Sequence, residues 1–567
     1  KSKTDEKQLI NKSLYDDIKA VLLNEVGEHV VCRNLNNGTN EALIKEGRLI
    51  KVLPILIIKE MYKAIGLEHV QNLHCNQKIL YSKLRSKWFG VKKKIVGIYK
   101  IFGKEVPKVP FIPVLWSILT GPHVEILENI PEEYYQSGIY KARLGPNDYY
   151  TIVSADFARK ILTEQEDKFP KYKFNNELPV QKFYGNGIVF ANGDKWRVHR
   201  KLSNPAFNRS LSPKVMGDVV LDTFKYMSSE IHKPIDIYEM LQHITIEVLG
   251  QVAFGYSFGT LKSKELPDIV RKYKIILNQV ESYPLYVFPY LNKLPTKRNR
   301  IFQEAVKDFD EFIYEIIELK KLELAKRKEC KESNERKTSD NEELLISMLE
   351  ASEQENINIG KKDLRDNMTN FFSAGNDTTS MSISSSIYYL ARYPEMQKKA
   401  RDEVISVIGD EIKIPTVHQL KELKYVNAIV KESLRRFPAP MTYRQLQEPT
   451  KFGEYLLPEK SIIRVSNYSI HHDPKYWKNA HKFDPERWLS KEKIDNRHTF
   501  SYIPFSAGPR NCVGQTFSIM EQRIILAMFL IKYEWSLPRN SIHKEDLVLS
   551  NAFLFRPKNL EINFQER

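Results

Sequence analysis

A single cysteine in a glycine-containing segment constrains this chain more than any other feature of its sequence. Residues 505–514 read FSAGPRNCVG, so that Cys512 comes shortly after Gly508 and Arg510. An apolar helical pattern over Phe517–Ile531 follows. Glycine lets a backbone approach a flat ligand closely, and the start of a helix stabilises negative charge and lowers the pKa of a thiol. The segment therefore predicts a thiolate that binds iron, with the nearby guanidinium neutralising a carboxylate of a cofactor.

The composition is that of a folded chain with a large core. Of its 567 residues, 42% are hydrophobic and 28% are charged, which excludes a disordered or collagen-like protein. The length fits either several domains or one large α-rich domain with an appendage. The four cysteines, at positions 32, 75, 330 and 512, are too few and too scattered for a disulfide framework or a site of four zinc-binding thiolates. They indicate a reducing compartment.

The excess of positive charge does not indicate nucleic-acid binding. There are 87 Lys and Arg residues against 71 Asp and Glu, a net charge of +16, but the bases alternate with acids along the chain. Even the densest basic stretch, Lys320–Lys337, contains four glutamates, which favours a solvated loop or helix face. The longest apolar runs, Val52–Ile58, Phe111–Leu119 and Ile524–Ile531, are far shorter than the ~20 residues of a transmembrane helix.

The N-terminal part of the chain differs from the rest. Residues 1–100 are rich in lysine and carry no motif, so we expect an N-terminal extension of unknown role, with the main domain over residues 101–567. The main domain is predicted to begin with an extended, proline-containing segment over residues 106–122, because proline fixes φ and removes a donor. A β-hairpin is expected over residues 139–154, around a Gly-Pro-Asn-Asp turn.

The remaining pattern predicts a mainly α fold with a minor β portion. Helical periodicity dominates residues 205–403. Loops are expected at residues 284–295, in the charged stretch after Lys320, and at residues 392–394, and short β-type segments return near residues 451–465 and after Leu547. This order of elements predicts a large helical body that carries small sheets.

The longest helical pattern, residues 362–392, contains an unusual polar run. Its middle reads AGNDTT over residues 374–379, and a helix of this length spans ~45 Å. A glycine beside an acid and two hydroxyls is poor helix chemistry, and threonine hydroxyls can bond to a backbone carbonyl and loosen the helix. Local rules tend to be broken at functional sites, although an internal N-cap or a kink would explain the same residues.

Two spaced pairs are uninformative when each is taken alone. Glu432 and Arg435 lie three residues apart, and Trp196 and Arg200 lie four apart, so each pair shares a helix face. Surface ion pairs have the same spacing and contribute about 0–1 kcal/mol. The adjacent histidines at 471 and 472 fit a polar turn better than a metal site.

Taken in order, these motifs resemble the cytochrome P-450 family of haem-thiolate monooxygenases. The matching segments are W-x-x-x-R at 196–200, A-G-N-D-T-T at 374–379, E-x-x-R at 432–435, H-D-P at 472–474, F-D-P-E-R-W at 483–488 and the cysteine segment at 505–514. The resemblance covers residues 103–557 and implies that family's fold, with one long helix crossing the haem. The first 100 residues have no counterpart in it.

The resemblance assigns roles to individual residues. It implies haem b (iron protoporphyrin IX) bound through Cys512, with dioxygen beside Ala374 and Gly375 and protons relayed by Asp377 and Thr378. The other residues implied to contact the haem or its propionates are Trp196, Arg200, Arg444, Phe505, Gly508 and Arg510. Glu432, Arg435 and Arg487 are implied to support the cysteine segment, and Phe371, Phe372, Met441–Tyr443 and Ala552–Leu554 to line the substrate pocket. Ala374 stands where some fatty-acid-hydroxylating members carry a haem-esterifying glutamate, so we expect no covalent haem attachment.

The implied reaction inserts one oxygen atom of O2 into a lipophilic substrate, such as a fatty acid or another lipid. Electrons would come ultimately from NADPH through a separate flavoprotein reductase or a ferredoxin, because no flavin- or nicotinamide-binding glycine fingerprint follows a strand. The basic cluster Lys195, Arg197, His199, Arg200 and Lys201 is expected to dock that partner. The resemblance also implies the cytosolic face of the endoplasmic reticulum membrane, with a peripheral contact through Phe288–Leu291 and no transmembrane anchor visible in this chain.

Two other functions fit the same residues. One is a haem-thiolate isomerase or dehydratase of hydroperoxides, which needs no reductase. The other is a non-catalytic protein that binds haem or a lipid. Asp377 and Thr378 favour the monooxygenase, because rearrangement of a hydroperoxide needs no proton relay to dioxygen.

Overall fold

The computed structural model divides the chain into two units. One unit comprises Lys1–Glu105 with Thr450–Pro458, and the other comprises Val106–Pro449 with Glu459–Arg567. The structure describes residues 30–34, 40–46, 49–54, 106–108, 130–144, 147–164, 167–209, 212–262, 265–282, 285–286, 288–332, 343–439, 442–490, 496–550 and 555–567. The second unit contains every candidate site residue.

Helices make up most of the second unit. They are α1 (Glu132–Ser137), α2 (Ala155–Thr163), α3 (Pro179–Tyr184), α4 (Gly193–Arg209), α5 (Pro213–Met227), α6 (Ile237–Leu249), α7 (Asp268–Val280), α8 (Lys297–Glu332), α9 (Leu344–Gln354), α10 (Lys361–Arg392), α11 (Pro394–Ile408), α12 (Val417–Glu422), α13 (Lys424–Arg436), α14 (Asn467–His472) and α15 (Gln515–Lys532). A π-helical turn, Gly250–Phe254, extends α6, and 3-10 turns lie at Pro289–Lys293, Pro485–Trp488 and Thr499–Ser501. The predicted mainly α fold is confirmed.

The strands form small sheets. They are β1 (Val30–Asn34), β2 (Asn40–Glu46), β3 (Leu49–Pro54), β4 (Ile139–Leu144), β5 (Asn147–Ile152), β6 (Ile235–Asp236), β7 (Thr442–Gln445), β8 (Thr450–Phe452), β9 (Tyr455–Leu457), β10 (Ile462–Val465), β11 (Tyr533–Ser536) and β12 (Glu561–Glu566). The first unit holds the sheet β1-β2-β3 and the hairpin β8-β9, and the second unit holds the sheets β4-β5-β10-β7 and β11-β12-β6. The hairpin β4-β5 is antiparallel and pairs Ile139 with Ile152, as the sequence predicts.

The long helix α10 organises the core of the second unit. It packs against α6, α8, α13 and α15, and nearly all of its residues between Leu364 and Ala391 are buried. Its first half lies in an apolar cluster with α7, α8 and α9, and its second half lies in another with α5, α13 and α15. Asp363 in its first turn and Arg392 in its last turn complement the helix dipole. The polar run 374–379 therefore sits where the two clusters meet.

The start of the charged stretch after Lys320 is helical in the structure. The loop expected in the charged stretch after Lys320 is wrong as far as Glu332, because α8 continues to that residue. Residues 333–342 lie outside the described residues. Lys320 and Arg327 both pair with Glu323, and Leu324 is buried, so ion pairs and packing extend the helix.

The extended segment predicted over residues 106–122 lies largely outside the described residues. Of its described part, residues 106–108, Lys108 forms an isolated β-bridge with Lys141. Among the helices that the structure describes, none combines the length and apolar character of a membrane span.

Candidate functional site

The backbone of the cysteine segment is fixed by its own hydrogen bonds. The amide of Cys512 donates to the carbonyl of Phe505 at 2.9 Å, and the amide of Asn511 donates to that of Gly508 at 3.1 Å. Gly508 has a φ of +71°, and a Cβ at this position would collide with the carbonyl oxygen of Leu162. Only glycine fits this close backbone approach. The turn therefore presents the cysteine immediately before α15.

The thiol of Cys512 is accessible yet surrounded by protein. The residue is exposed, but burial raises the pKa of its thiol, while a backbone hydrogen bond with Gly514 and the charge of Arg200 lower it. Because the residue is exposed while the surrounding protein strongly affects its thiol, we infer that Cys512 lies in a recess of the surface. The expected lowering of the pKa is wrong for the protein alone, because burial outweighs the two favourable influences. A bound metal ion would supply the charge that deprotonates the thiol.

Two arginines and a tryptophan lie beside this recess. Arg200, on α4, donates from Nη1 to the carbonyl and from Nη2 to the side chain of Asn511, both at 2.6 Å. Arg510 donates to the carbonyl of Ala191 at 2.8 Å, and its guanidinium lies 4.4 Å from the ring centroid of Trp196. The structure thus brings Trp196, Arg200 and Arg510 together next to the cysteine.

Arg444 is placed by a different element. It lies on β7, is only 2% exposed, and pairs with Ile463 of the neighbouring strand β10. Its Nη1 donates to the carbonyl of Tyr443 at 3.4 Å. Phe505 is half-buried and packs against the apolar cluster that contains the second half of α10.

One face of α10 is open in its otherwise buried middle. Ala374 is exposed and Gly375 and Thr378 are half-buried, whereas Asn376 and Thr379 are buried. The hydroxyl of Thr378 donates to the carbonyl of Ala374 at 2.6 Å. The helix remains α-helical through this turn, so the expected loosening is limited to this side-chain bond. The open face presents the methyl group of Ala374 and the hydroxyl of Thr378, whereas Gly375 allows a close approach of Leu249 from α6.

Asp377 points into a buried polar cluster on another side of α10. Its carboxylate, 2% exposed, accepts hydrogen bonds from Gln242 Nε2 and Tyr273 Oη, both at 3.0 Å. Arg556 Nη2 lies 3.6 Å away. Successive residues of a helix do not face each other, so Asp377 and Thr378 serve different surroundings. The partners of Asp377 come from α6, α7 and the C-terminal region, and no local sequence signal points to them.

Glu432 is the centre of a buried ionic network. It accepts two hydrogen bonds from Arg435, both at 2.9 Å, and its Oε1 lies 3.3 Å from Arg487 Nε. Trp488 Nε1 donates to it at 3.0 Å, and the side chains of Glu432 and Arg435 are fully buried. Arg435 also donates to the carbonyl of His471 at 2.9 Å. The network ties α13, α14 and the turn Pro485–Trp488 together.

The adjacent histidines are both occupied by hydrogen bonds. His471 Nε2 accepts from the amide of Ile503 at 2.8 Å, and its Nδ1 lies 3.3 Å from the carbonyl of Arg435. His472 Nδ1 lies 2.8 Å from the carbonyl of Tyr468, and Nε2 lies 3.0 Å from Arg436. Burial lowers the pKa of His471 to about 3, which keeps the ring neutral. Both rings therefore act as structural hydrogen-bonding groups.

The expected basic docking cluster is smaller than the sequence suggests. His199 is 1% exposed, and burial lowers its pKa to about 4, so it is uncharged at neutral pH. Lys195 pairs with Asp363 at 2.5 Å and Lys201 with Glu355 at 2.5 Å. Arg197 lies 2.6 Å from Asp194. These acids reduce the positive field of that surface.

The structure describes only some of the residues that were expected to line the substrate pocket. Phe371 and Phe372 are 5% and 1% exposed, and they pack inside the apolar cluster of α7, α8 and α9, so the structure does not place them on an open wall. Tyr443 is half-buried and lies edge-on to Phe174 at 5.7 Å. Met441 and residues 552–554 lie outside the described residues.

The donor set fits one kind of group. Within the residues that the structure describes, no three His, Cys, Asp or Glu side chains gather to hold a bare metal ion. A single accessible thiol lies next to two guanidinium groups and an indole. These residues suit a flat iron complex that carries its own ligands and acidic side groups, because the protein needs to supply only one axial ligand and cations for the acids.

Comparison with known proteins agrees with this geometry. The chain matches the family model described as Cytochrome P-450 over residues 107–564. It is 29% identical to cytochrome P-450 4V2 of Mus musculus over 450 residues, which is 76% of this chain and 82% of that protein. It is 31% identical to cytokinin hydroxylase of Arabidopsis thaliana over 404 residues, which is 70% of this chain and 76% of that protein.

A solved structure shows the same fold. The crystal structure of the cytochrome P-450DA heme domain superposes with a TM-score of 0.70 at 18% sequence identity, covering 82% of this chain and 98% of that one. At this identity the likeness concerns the fold only.

Proposed function

Because this chain belongs to the cytochrome P-450 family, and is therefore a haem-dependent monooxygenase, we propose that Cys512 is its axial thiolate and that its substrate is lipophilic. When bound, the haem iron activates dioxygen, so that one oxygen atom enters the substrate and the other is reduced to water with two protons and two electrons. The observation that carries the proposal is the hydrogen-bonded turn that presents the exposed Cys512 beside Arg200 and Arg510.

The residues around the recess would hold the cofactor. Arg200 and Arg510 would exchange their carbonyl acceptors for the two propionates, because guanidinium binds carboxylate more strongly than a neutral carbonyl. Trp196, stacked on Arg510 at 4.4 Å, would fix the orientation of that guanidinium. The tight approach at Gly508 and the carbonyl of Phe505 would hold the thiolate in place, and the Glu432 network would brace this side of the molecule. In this proposal residues 101–567 form the haem domain and residues 1–100 an extension to it.

The face formed by Ala374, Gly375 and Thr378 would border the oxygen-binding side. Thr378 carries the hydroxyl of that face, held on the carbonyl of Ala374, where it can pass a proton between neighbouring acceptors. Asp377 would supply protons from the buried cluster on the adjacent side of α10. A lipophilic substrate is supported by the exposed side chain of Val189 and the half-buried ring of Phe190, which lie in the segment that Arg510 contacts. A fatty acyl chain is our leading candidate.

Electrons would come from a separate flavoprotein reductase or a ferredoxin. Lys195, Arg197 and Lys201 remain as the cations of the docking surface. They retain acidic partners in this chain, so an acidic partner protein would compete with those acids in a salt-dependent way.

A membrane contact is proposed at the loop before α8. Phe288, Tyr290 and Leu294 are 45%, 62% and 46% exposed, an apolar group suited to the surface of the endoplasmic reticulum membrane. Sedimentation with liposomes should fall when Phe288 and Tyr290 are both changed to serine. Unchanged sedimentation would contradict the contact.

The reaction is tested by measuring reductase-dependent NADPH oxidation together with product formation. A panel of fatty acids, sterols and terpenoids should stimulate oxidation and yield oxygenated product. Turnover that needs only a hydroperoxide, without reductase, would instead establish the isomerase or dehydratase. Haem binding without any turnover would establish the non-catalytic protein.

A further inference from the structure

A buried arginine near the C terminus is shared by two acids. Arg556 Nη2 lies 2.8 Å from Glu281 Oε1 and 3.6 Å from Asp377 Oδ1. The side chains of Arg556, Glu281 and Asp377 are 15%, 11% and 1% exposed. Within this described cluster, two buried carboxylates share one cation, which leaves one negative charge in excess, and such a charge is costly away from water. One of the two acids must therefore be easier to protonate than an ordinary carboxyl group.

The other titratable groups in this cluster are tyrosines. Tyr273 donates its hydroxyl proton to Asp377 at 3.0 Å, and its oxygen lies 3.2 Å from the hydroxyl of Ser373. Tyr184 lies 2.7 Å from the same serine hydroxyl. Tyr238 also interacts electrostatically with the acids. Burial raises the pKa of all three tyrosines, so that they stay neutral donors. The charge of the cluster thus depends on its two acids and one arginine.

Glu281 is the member that titrates in the neutral range. Burial raises its pKa, Arg556 lowers it and Asp377 raises it, and the balance is a pKa of about 7. The pKa of Arg556 is raised by the surrounding acids and tyrosines, so the guanidinium remains charged. A change of pH near neutrality therefore alters the number of anions that compete for one fixed cation.

We propose that Arg556 positions Asp377 for proton delivery, and that Glu281 controls how firmly Arg556 holds it. This inference rests on the proposed function. With Glu281 ionised, the guanidinium stays on that acid and touches Asp377 only at the longer distance. With Glu281 protonated, Asp377 is the remaining anion and draws the guanidinium into a close ion pair. The tight pair holds the carboxylate of Asp377 on the guanidinium, so that Asp377 is not free to hand a proton onward.

The main test is the pH dependence of product formed per NADPH oxidised. In the unchanged protein this ratio should rise between about pH 6 and about pH 8, with a midpoint near the pKa of about 7 of Glu281. Glu281→Gln mimics the protonated acid, and it should keep the ratio at its low-pH value throughout. Arg556→Lys should retain a pH-dependent rise, and Arg556→Gln should abolish it.

A matched control separates this effect from a general loss of a glutamate. Glu239, on α6, is exposed and pairs with Lys274 at 2.6 Å, outside the cluster. Glu239→Gln should preserve the midpoint and the height of the profile. A Glu281→Gln protein with the unchanged pH profile would overturn the proposal.

A second readout needs neither substrate nor reductase. Infrared difference spectra of the haem-loaded protein should show a buried carboxylic acid band that disappears as the pH rises through about 7, and Glu281→Gln should lack this band. Titration of Glu281 near the ordinary range of about 4.3 would overturn the proposal. An intact infrared titration in a protein without turnover would support the Glu281–Arg556 link and overturn the proposed function instead.

Discussion

At the scale of single residues, Thr378 is the group whose removal should separate oxygen chemistry from folding. Thr378→Ala removes a half-buried hydroxyl that is bonded to the carbonyl of Ala374. The lost bond costs about 1 kcal/mol of stability, so haem content should be retained. Product per NADPH should fall and peroxide should rise, because proton delivery on this face is impaired.

The matched control is Thr378→Ser, which keeps the hydroxyl and should keep most of the coupling. Peroxide and product are both measured under reductase-driven turnover. Tight coupling in the alanine protein would contradict the proposed role of the hydroxyl.

Substitution of Glu432, unlike that of Thr378, should strongly lower the stability of the fold. Glu432→Ala leaves Arg435 buried without its carboxylate, and such a break costs about 3–5 kcal/mol. We expect a lower midpoint in denaturant unfolding and loss of haem from the folded fraction. Glu239→Ala, which breaks an exposed pair with Lys274, should cost about 0–1 kcal/mol. Equal effects of the two substitutions would show that the Glu432 network does not support the fold.

At the scale of structural elements, the turn before α15 depends on one glycine. Gly508→Ala combines a positive φ with a collision between the new Cβ and the carbonyl oxygen of Leu162, and a backbone atom cannot move aside easily. Gly193 has a similar φ of +58°, but no atom of the described residues lies within 4 Å of the place that its Cβ would take. Gly193→Ala should therefore cost only about 1–2 kcal/mol for its φ. Haem binding should be lost in Gly508→Ala alone, and equal haem content in both would contradict the account.

Elements that are encoded locally could be predicted from the sequence. The helix expected over residues 362–392 is found at Lys361–Arg392, because its pattern and the following proline lie within one segment. The i, i+3 spacing of Glu432 and Arg435 predicted a shared face, and the pair is in contact. The hairpin β4-β5 was likewise signalled by its turn residues.

Features that depend on distant segments could not be predicted in this way. The partners of Asp377 come from α6, α7 and residue 556, and no periodicity connects these positions. The pKa of Cys512 was expected to be lowered by the helix start, but burial by surrounding segments raises it. His199 was counted as a surface base, and the packing of α4 buries it. In each case tertiary packing decides the outcome.

At the scale of the whole molecule, buried histidines should make the protein acid-sensitive. Burial lowers the pKa of His471 to about 3, and that of His199 and His243 to about 4. These rings take up protons in the unfolded chain below about pH 6.5 but not in the folded one. Each therefore removes about 1.4 kcal/mol of stability per pH unit as the pH falls below that value.

The acids with raised pKa values act in the opposite direction. Glu281, with a pKa of about 7, and Glu521 bind protons in the folded state first, so they add stability on acidification. Because the buried histidines outnumber them, the free energy of unfolding should fall between about pH 6.5 and about pH 5. Denaturant unfolding at several pH values checks this, and a free energy that rises on acidification would contradict it.

The central claim is the bond between the sulfur of Cys512 and the haem iron. The most direct test is the absorption spectrum of the reduced, carbon-monoxide-treated protein, compared with that of Cys512→His. The account predicts the strongly red-shifted Soret band of a thiolate-ligated iron in the unchanged protein, and its replacement by a globin-like spectrum in the histidine protein. A globin-like spectrum in the unchanged protein, or a colourless protein after haem supplementation, would contradict the account.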